Sequence, residues 1–443
     1  MKILFFTHYF PPEVNAPATR TFEHCVRWAE AGHDVTVVTC VPNCPTGTPF
    51  AGYRNKPWPQ VEHVDGVRVV RVWTYLAANA GTFRRIANYL SYMFSAILAA
   101  IRLPRPDVVV ATSPQFFCGW AGVLVSRLKR APFVLEIRDI WPESIEAVGA
   151  MRNRWVLKFL ERLERWMYLS ADQIVTVGKG YRGKVLEKVS PPKPISVITN
   201  GVDLDFFKPR EPDEEFLREW GLRGKFVCSY IGTIGMAHGL EVVIEAARIL
   251  KDEGRRDICF AMVGDGASRR QLEEEALVAG VQDMVVFTGR QPKERMPAVL
   301  ASSNACLIHL RDCKLFGTVL PSKIFETMAM ERPIIMGVRG EARNLVMETA
   351  TGLDMEPDSA KSLVGAVKRL ADHPDYAVRA GAAREFIATN YNRDLLARAY
   401  LRLLHDVIGD ETEELAEDGE PSPVILGPIG PSARDSRHRH RRS

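Results

Sequence analysis

The sequence is short of the features that mark exported, metal-dependent and membrane-spanning proteins. Four of its eight cysteines form two close sets, Cys40 with Cys44 and Cys306 with Cys313, and neither set has the second pair that a metal site would need. No Asp-x-Asp pair follows a predicted strand, so we expect no bound metal. The apolar residues 1–6 are interrupted at once by residues 7–12, with no cleavage site. These absences favour a metal-independent protein with reduced thiols in the cytoplasm.

The composition is that of a soluble globular protein, with 46% hydrophobic and 25% charged residues over 443 positions. This length suffices for two domains of ordinary size. Positive charge is concentrated at the start: residues 1–200 hold 25 Lys and Arg against 15 Asp and Glu, although the whole chain carries +4. A basic first half could face nucleic acid, anionic lipid or a diphosphate. No nucleic-acid-binding module accompanies it, so we expect no nucleic-acid partner.

The segment 320–333, Leu-Pro-Ser-Lys-Ile-Phe-Glu-Thr-Met-Ala-Met-Glu-Arg-Pro, is the most informative stretch. Pro321 and Ser322 suit the first turn of a helix, and apolar residues at helical spacing follow. Lys323 and Glu326 lie one turn apart on another face. The free N–H groups of a helix start suit a diphosphate, Lys323 adds a positive charge, and Glu326 can accept the two hydroxyls of a ribose. The alternative is an ordinary amphipathic helix whose Lys and Glu are solvated.

Strands that end on glycine precede this segment. A strand over 227–231 leads into the glycine-rich turn Gly232–Gly239 and a helix over 240–251. Further strands are predicted over 259–263, 284–288 and 305–310. Strands that alternate with helices predict a parallel sheet whose ligands bind at the carboxyl ends of the strands.

The first half of the chain alternates in the same way. A helix is predicted over 18–31, and the strands cover residues 3–7, 35–39, 67–73, 107–111, 133–137 and 173–177. Residues 40–64 are rich in Pro, Gly and Asn, which predicts a long irregular loop of the kind that binds or covers ligands. The pattern breaks near 205–212, so we place the domains at 1–205 and 206–382.

Taken in order, these segments resemble glycosyltransferase family 4, the retaining sugar-nucleotide-dependent enzymes of the GT-B type. The resemblance spans roughly residues 1–405 and is nearest to the bacterial surface-polysaccharide and O-antigen subgroup, which includes aminodeoxysugar transferases. It implies an α/β protein of two Rossmann-like domains facing each other across a cleft. The motifs that carry it are Ile-Thr-Asn-Gly-Val-Asp at 198–203, Tyr-Ile-Gly-Thr at 230–233, Val-Gly-Asp-Gly at 263–266, Phe-Thr-Gly at 287–289 and Pro-Ser-Lys-Ile-Phe-Glu at 321–326.

The resemblance also implies where the donor binds. Lys323 would stabilise the leaving diphosphate and Glu326 would hold the ribose. The other donor-binding residues that it implies are Gly232, Thr233, Gly235, Gly264, Gly266, Arg290, Thr318, Val319 and Leu320.

Three positions in the second half of the chain depart from the family pattern. Thr318 stands where the first of two paired glutamates is expected, so donor contact there falls to backbone amides and a hydroxyl. Thr233 and His238 replace the usual Arg and Lys of the glycine-rich turn. The positive charge for the leaving diphosphate must then come from Lys323, Arg138 or Arg290.

Candidate acceptor-side residues follow strands of the first domain. Family members often carry His-Asp after the strand 133–137, where this chain has Arg138 and Asp139. A guanidinium cannot act as a base, so Arg138 would hold diphosphate or acceptor by paired hydrogen bonds. Asp139 would orient the acceptor or accept its proton. His8 and Glu13 are further acceptor-side candidates, and a structural charge cluster is the alternative.

Residues 84–105 predict contact with an anionic membrane surface. The sixteen residues 86–101 are uncharged, with two arginines before them and Arg102 and Arg105 after. Sixteen is short of the ~20 residues needed to cross a bilayer. Aromatic residues and basic flanks suit a helix that lies in the membrane interface. The alternative is a core helix of the first domain.

A last helix is predicted over 383–408, and the resemblance implies that it packs across both domains. Residues 409–443 combine an acidic run, Pro and Gly, and a terminal Arg/His run. This composition predicts a disordered tail.

These features together predict retaining transfer of a sugar from a nucleoside diphosphate donor to a lipid-linked saccharide. We expect a UDP-sugar donor, with N-acetylated amino or deoxy sugars among the candidates, and a peripheral location at the cytoplasmic face of the cell membrane. Two alternatives stay open. A nucleotide-sugar 2-epimerase would need no membrane-facing patch, and a non-catalytic sugar-nucleotide-binding partner would act in polysaccharide assembly.

Overall fold

The computed structural model describes residues 1–44, 46–77, 82–144, 153–373 and 375–410. The strands in chain order are β1 (Lys2–Phe6), β2 (Asp34–Cys40), β3 (Gln60–Val64), β4 (Val67–Val72), β5 (Val108–Thr112), β6 (Phe133–Ile137), β7 (Gln173–Thr176), β8 (Ile195–Val197), β9 (Phe226–Ile231), β10 (Ile258–Val263), β11 (Val285–Gly289), β12 (Ala305–His309), β13 (Ile334–Gly337) and β14 (Gly352–Asp354).

The helices of the described residues are α1 (Ala16–Glu30), α2 (Thr82–Ile101), α3 (Phe116–Lys129), α4 (Arg154–Ser170), α5 (Lys179–Lys188), α6 (Glu214–Glu219), α7 (Glu241–Asp252), α8 (Arg269–Val278), α9 (Met296–Ala301), α10 (Lys323–Ala329), α11 (Glu341–Glu348), α12 (Ala360–Asp372), α13 (Asp375–Asn390) and α14 (Arg393–Ile408). Short 3₁₀ turns cover Met236–His238, Lys293–Arg295 and Phe316–Thr318.

The chain divides into two units, each built on its own sheet. Met1–Thr199 forms the first unit together with the chain from Arg393, and Asn200–Asn392 forms the second. The strand order is β3-β4-β2-β1-β5-β6-β7-β8 in the first sheet and β11-β10-β9-β12-β13-β14 in the second. The predicted α/β class with two Rossmann-like units is confirmed. The first unit ends at Thr199, a few residues before the predicted boundary.

The strand order identifies where each sheet can bind a ligand. β1 pairs in parallel with β2 and β5, and β9 pairs in parallel with β10 and β12. The chain connections to the two neighbours of β1 run in opposite directions across the sheet, and the same holds for β9. This reversal opens a crevice beyond the carboxyl ends of the strands. The residues directly after β1, β9 and their neighbours are therefore the candidate ligand-binding positions.

The hydrophobic runs of the sequence become buried strands, because both faces of a parallel sheet are covered by helices. β5, β6, β10 and β12 are buried along their whole length. Two strands of the first sheet were not predicted from the sequence: β8, and the antiparallel strand β3, which lies within the predicted loop 40–64. β3 is an edge strand of this sheet. Its alternating, half-exposed residues are typical of a short edge strand.

The predicted helix over 383–408 is two helices, which corrects the sequence reading. α13 belongs to the second unit and α14 to the first. Between them, the carbonyl of Tyr391 accepts the N–H of Val202 at 2.9 Å, and Asn392 forms a parallel bridge with Val202. The Tyr391 ring also stacks on Phe325 at 4.5 Å. Because the backbone at Tyr391 and Asn392 pairs with Val202 as a strand would, helix α13 ends before these residues. The predicted tail beyond residue 410 lies outside the described residues.

α14 covers one side of the first sheet. Tyr400 and Leu404 are buried in the same hydrophobic cluster as Trp28 of α1 and Val110 of β5. The Trp28 indole donates to the carbonyl of Ala397 at 3.0 Å. The last described helix is therefore part of the first unit's core.

Three glycine positions allow the strand ends of the second unit to meet. A Cβ on Gly264 would lie 1.9 Å from the carbonyl oxygen of Gly232, and one on Gly266 would lie 2.3 Å from that of Ile234. The N–H of Gly232 donates to Val263 at 2.9 Å, which fixes this approach. A side chain at Gly264 or Gly266 would collide with backbone atoms, which cannot move aside as the end of a flexible side chain could.

We predict that Gly264→Ala destabilises the second unit by about 2–4 kcal/mol, because the added methyl must push two backbone segments apart at a positive φ. Urea and thermal unfolding would measure the change. Gly365→Ala is the matched control: Gly365 lies in α12 with no atom within 4 Å of an added Cβ. This control should be neutral or stabilising by up to about 1 kcal/mol. Equal stability of the two variants would contradict the packing argument.

Candidate active site

Two side chains, Tyr230 and His309, form hydrogen bonds with the backbone of the glycine-rich turn in the second unit. The sequence analysis did not predict these contacts. The Tyr230 hydroxyl donates to the carbonyl of Thr233 at 2.7 Å. Nδ1 of His309 lies 2.6 Å from the carbonyl of His238, and Nε2 of His309 accepts the N–H of Asp358 at 2.9 Å. A carbonyl can only accept and an amide can only donate, so His309 is neutral with its proton on Nδ1. Burial also lowers the pKa of His309.

Lys323 lies directly over this turn. Its ammonium is 4.0 Å from the centre of the Tyr230 ring and 2.8 Å from the position that a Cβ on Gly232 would occupy. Gly232 therefore leaves the space that the amine needs. Burial lowers the pKa of Lys323 to about 8, and the Glu326 carboxylate opposes this shift. The amine is largely protonated at neutral pH and is poised to attract an anion.

Glu326 shares a pocket with Lys323. The pocket measures about 310 Å³, including its solvent-open mouth, and its walls come from β9, β12, α9 and α10. Its lining is Ile231, Met296, Leu300, Cys306, Leu307, Ile308, Lys323, Glu326 and Thr327. An apolar pocket with a few convergent polar groups is the usual form of a small-molecule site.

The other predicted donor residues divide into those that reach this edge of the sheet and those that do not. Thr233 is exposed and Gly235 half-exposed on the glycine-rich turn, while Gly264 and Gly266 support it by backbone contact. Leu320 is buried in the core with Ile324 and Phe325. Its predicted contact with a donor stays a prediction.

The segment before α10 presents few polar side-chain atoms. The Thr318 hydroxyl donates to the carbonyl of Leu315 at 2.7 Å, and Val319 is half-buried against the core. Arg290 is exposed just after β11. His238 is neutral, because burial, with the charge of Lys323, lowers its pKa to about 3. Lys323 is therefore one cation that the structure places at the turn, and the Arg311 guanidinium, which donates to the carbonyl of Met236 at 2.7 Å, is another.

In the first unit, Arg138 is fixed by backbone contacts. Its guanidinium donates to the carbonyls of Pro17 at 3.2 Å and Ala16 at 3.1 Å. Burial lowers its pKa to about 10, against the attraction of Glu136. Two of its donors are thus engaged by the first turn of α1, so Arg138 positions that turn in this structure. Its predicted contact with diphosphate or acceptor stays a prediction.

Glu136 and Arg20 form a buried ion pair behind Arg138. Arg20 donates to Glu136 at 3.0 Å and to the carbonyl of Ile198 at 2.8 Å, and the Thr112 hydroxyl donates to Glu136 at 2.8 Å. Burial raises the pKa of Glu136, but Arg20 and Arg138 outweigh it and lower the pKa overall. The predicted charge cluster at the end of β6 is therefore partly structural, and the sequence reading missed Arg20.

Asp139 of this cluster lines a pocket. The pocket measures about 280 Å³, including its solvent-open mouth, and Phe116, Trp141 and Tyr168 also line it. The Ser144 hydroxyl donates to its carboxylate at 2.9 Å. Burial raises the pKa of Asp139 to about 6, although this hydrogen bond opposes the shift. A carboxylate with such a pKa suits proton transfer near neutral pH.

His8 and Glu13 are both buried. Three tyrosine rings surround His8 edge-on at 4.9–5.4 Å, and burial lowers its pKa to about 4. The Glu13 carboxylate accepts the backbone N–H groups of Asn43 at 2.9 Å and Cys44 at 2.8 Å. Glu13 therefore anchors the loop after β2, and His8 is neutral at the carboxyl end of the first sheet.

Two features are absent from the residues that the structure describes. No three His, Cys, Asp or Glu side chains come together there in a group that could hold a metal ion, and metal independence stays a prediction. Within the same ranges, no helix is both long and apolar enough to cross a membrane.

Comparison with known proteins defines the class. The fold matches sucrose-phosphate synthase from Thermosynechococcus elongatus with a TM-score of 0.73 at 16% identity, over 93% of this chain and 100% of that one. It also matches Anabaena HepE in complex with UDP and glucose with a TM-score of 0.68 at 15% identity, over 91% and 99%. This protein has the GT-B fold of glycosyltransferases.

The sequence gives the family. Residues 15–201 match the glycosyl transferase 4-like domain, and residues 213–386 match the glycosyl transferases group 1. The chain belongs to these glycosyltransferases, which confirms the resemblance. It is similar to the probable glycosyltransferase WbjE of Pseudomonas aeruginosa, with 26% identity over 70% of this chain and 78% of the relative. It is also similar to the putative colanic acid biosynthesis glycosyl transferase WcaI of Escherichia coli, with 26% identity over 90% and 99%.

We predict that the affinity for UDP falls as pH rises through about 8, because only protonated Lys323 attracts the diphosphate. The bound anion favours the ammonium, so binding should take up protons in this range. Titration calorimetry between about pH 7 and about pH 9.5 would measure both effects. Lys323→Arg, whose guanidinium stays charged, is the control and should lack the pH dependence. A flat affinity profile for the parent would show that the diphosphate binds elsewhere.

Proposed function

We propose that this enzyme transfers a sugar, with retention of configuration, from a UDP-sugar to a lipid-linked saccharide in bacterial surface-polysaccharide synthesis. The observation that carries the donor half of the proposal is the position of the Lys323 ammonium over Gly232, with Glu326 in the same pocket. A diphosphate at the turn would meet a partly desolvated cation, and a ribose at the pocket would meet a carboxylate.

The reaction requires stabilisation of the leaving group. As the bond between the anomeric carbon and the diphosphate oxygen breaks, negative charge grows on the diphosphate. A positive charge fixed beside that oxygen lowers the barrier, because its attraction is greater in the transition state than in the ground state. Lys323 is positioned for this role, and its partial burial strengthens the interaction. The acceptor oxygen then bonds to the anomeric carbon from the face that the diphosphate leaves.

The acceptor half of the proposal rests on Asp139. Its carboxylate borders a pocket with aromatic walls at the carboxyl end of β6, where an acceptor hydroxyl could be oriented. With a pKa of about 6 it is ionised at neutral pH and can accept the hydroxyl proton. Arg138 holds the first turn of α1, and Glu13 holds the loop after β2, in the same unit.

Two of the similar proteins support the choice of substrates. HepE was solved with UDP and glucose, which favours a UDP-sugar donor. WcaI is described as acting in colanic acid biosynthesis, which favours a polysaccharide acceptor. We further propose that the transferred sugar is an N-acetylated amino or deoxy sugar, on the resemblance to aminodeoxysugar transferases.

A lipid-linked acceptor implies a site at the membrane, and we place it at the cytoplasmic face. The predicted membrane segment 84–105 overlaps α2, and the two sides of this helix differ in burial. Tyr92, Ala96 and Ala99 are buried against the unit, as the core-helix alternative required. Phe94 and Leu98 are exposed by 60% and 59%, so the outer side of α2 is free to enter a membrane interface.

We predict that purified enzyme releases UDP from its donor only when a lipid-linked saccharide is supplied, and that the new glycosidic bond keeps the donor's anomeric configuration. A panel of UDP-, GDP- and dTDP-sugars, followed by NMR of the product, would test this. Glu326→Ala should weaken donor binding by about 2–4 kcal/mol, because it removes charged hydrogen bonds to the ribose. Glu348→Ala, an exposed glutamate on α11, should bind normally. Epimerisation without acceptor, or binding without either reaction, would contradict the proposal.

We predict that the transfer rate falls as pH drops through about 6, because protonated Asp139 can no longer accept a proton. The sign follows from the raised pKa: the carboxylate is ionised above pH 6 and neutral below it. Asp139→Asn should lower kcat by about 10²–10⁴ and remove this acidic limb. Exposed Asp34→Asn, at the start of β2, serves as the control. An unchanged pH profile in Asp139→Asn would assign the acidic limb to another group.

A further inference from the structure

Helix α4 carries an exposed apolar stripe that the reaction does not use. Trp155, Phe159 and Trp166 are exposed by 85%, 59% and 53%, and they recur at helical spacing on one side. The opposite side is buried through Leu157, Leu160, Glu164, Met167 and Tyr168. Three large exposed rings on one helix are unusual for a soluble surface and mark a contact site.

The stripe continues across two neighbouring helices of the same unit. The Trp120 ring of α3 meets Trp166 edge-on at 5.3 Å. Lys129 at the end of α3 donates to the carbonyls of Ile101 at 2.9 Å and Leu103 at 2.7 Å, which ties α3 to α2. The exposed apolar residues of this surface, here called the outer face, are Phe94, Leu98 and Ile101 of α2, Leu124 and Leu128 of α3, and Trp155, Phe159 and Trp166 of α4.

The charges around the outer face are predominantly positive. The sequences of α2 and α3 contain no Asp or Glu. On α4, Glu161 is exposed, whereas Glu164 is turned inward, where it accepts the Tyr168 hydroxyl at 2.6 Å and pairs with Lys188 at 2.7 Å. The exposed cations of the three helices and their ends are Arg84, Arg102, Arg105, Arg127, Arg130, Arg154, Lys158, Arg162 and Arg165.

We propose that the outer face is a membrane-docking surface that seats on an anionic bilayer, with α4 as one of its contacts. Tryptophan and phenylalanine side chains enter the boundary between headgroups and acyl chains, and the surrounding cations pair with anionic headgroups. The inference rests on the proposed membrane location of the acceptor and extends it from residues 84–105 to a surface built by three helices.

Charge decides between a bilayer and a second copy of the chain. A symmetric dimer through this face would place the same cations opposite one another, since each copy contributes the same patch. Like charges at close range oppose such contact. An anionic bilayer offers opposite charge together with an apolar interior, and so matches both properties of the outer face.

The test uses the full-length enzyme and sedimentation with vesicles of phosphatidylcholine, with or without phosphatidylglycerol. Trp155→Ser/Phe159→Ser should lower partitioning onto anionic vesicles by about tenfold. Lys158→Gln/Arg162→Gln should lower it by about tenfold at low salt and by less at high salt. Leu277→Ser/Val278→Ser is the matched control, because these α8 residues are exposed by 66% and 90% on the second unit. UDP affinity should be unchanged in all three variants.

The outcomes separate this inference from the proposed function. If both α4 variants bind vesicles like the parent while Arg84→Gln/Arg102→Gln binds weakly, α4 is not a membrane contact. The extension of the membrane surface to α4 is then wrong, and the proposed contact through residues 84–105 is supported. If the parent enzyme does not bind anionic vesicles but still transfers sugar, the proposed membrane location is wrong, whereas the proposed sugar transfer is supported. If sedimentation velocity shows that Trp155→Ser/Phe159→Ser converts a dimer to a monomer, a second copy covers the outer face and the bilayer assignment is wrong.

Discussion

The donor site depends on one constraint: an amine must sit beside the backbone at the end of β9. Lys323 reaches that position because Gly232 has no side chain, and the Tyr230 ring offers its face to the ammonium at 4.0 Å. Removing a cation from water is unfavourable unless other groups compensate, so the ring and the Glu326 carboxylate are needed. The result is a fixed, partly desolvated charge at the place where a sheet of this type binds phosphates.

Under the proposed function, this arrangement compensates for the departures of the chain from the family pattern. The glycine-rich turn has neutral Thr233 and His238 where cations are usual, and burial keeps His238 uncharged. A charge from α10 reaches the same region through space. Because electrostatic stabilisation depends on distance and not on the position of a residue in the chain, a lysine from another element can take over the role.

The sequence predicted the elements well and the roles of individual side chains less well. Buried parallel strands are nearly continuous apolar runs, so β5, β6, β10 and β12 were found within a residue or two. The spacing of Lys323 and Glu326 placed both in one pocket. Glu13 and Arg138 instead make backbone contacts, because a buried charge binds whatever polar groups surround it. His309 was missed, since a histidine at the end of a strand has no signal in one sequence.

By itself, the sequence determined the alternation of strands and helices, the basic first half and the glycine-rich turn, since these follow from hydrophobic period, charge count and glycine positions. Only the tertiary structure decided which groups are buried and therefore which pKa values shift, as for Lys323 and Asp139. It also decided which side of α4 faces solvent. Both sides of that helix are apolar, one with Leu157 and Leu160 and the other with Trp155 and Phe159. The spacing of apolar residues cannot show which of two apolar stripes is buried, because burial depends on which stripe fits the neighbouring helix and sheet.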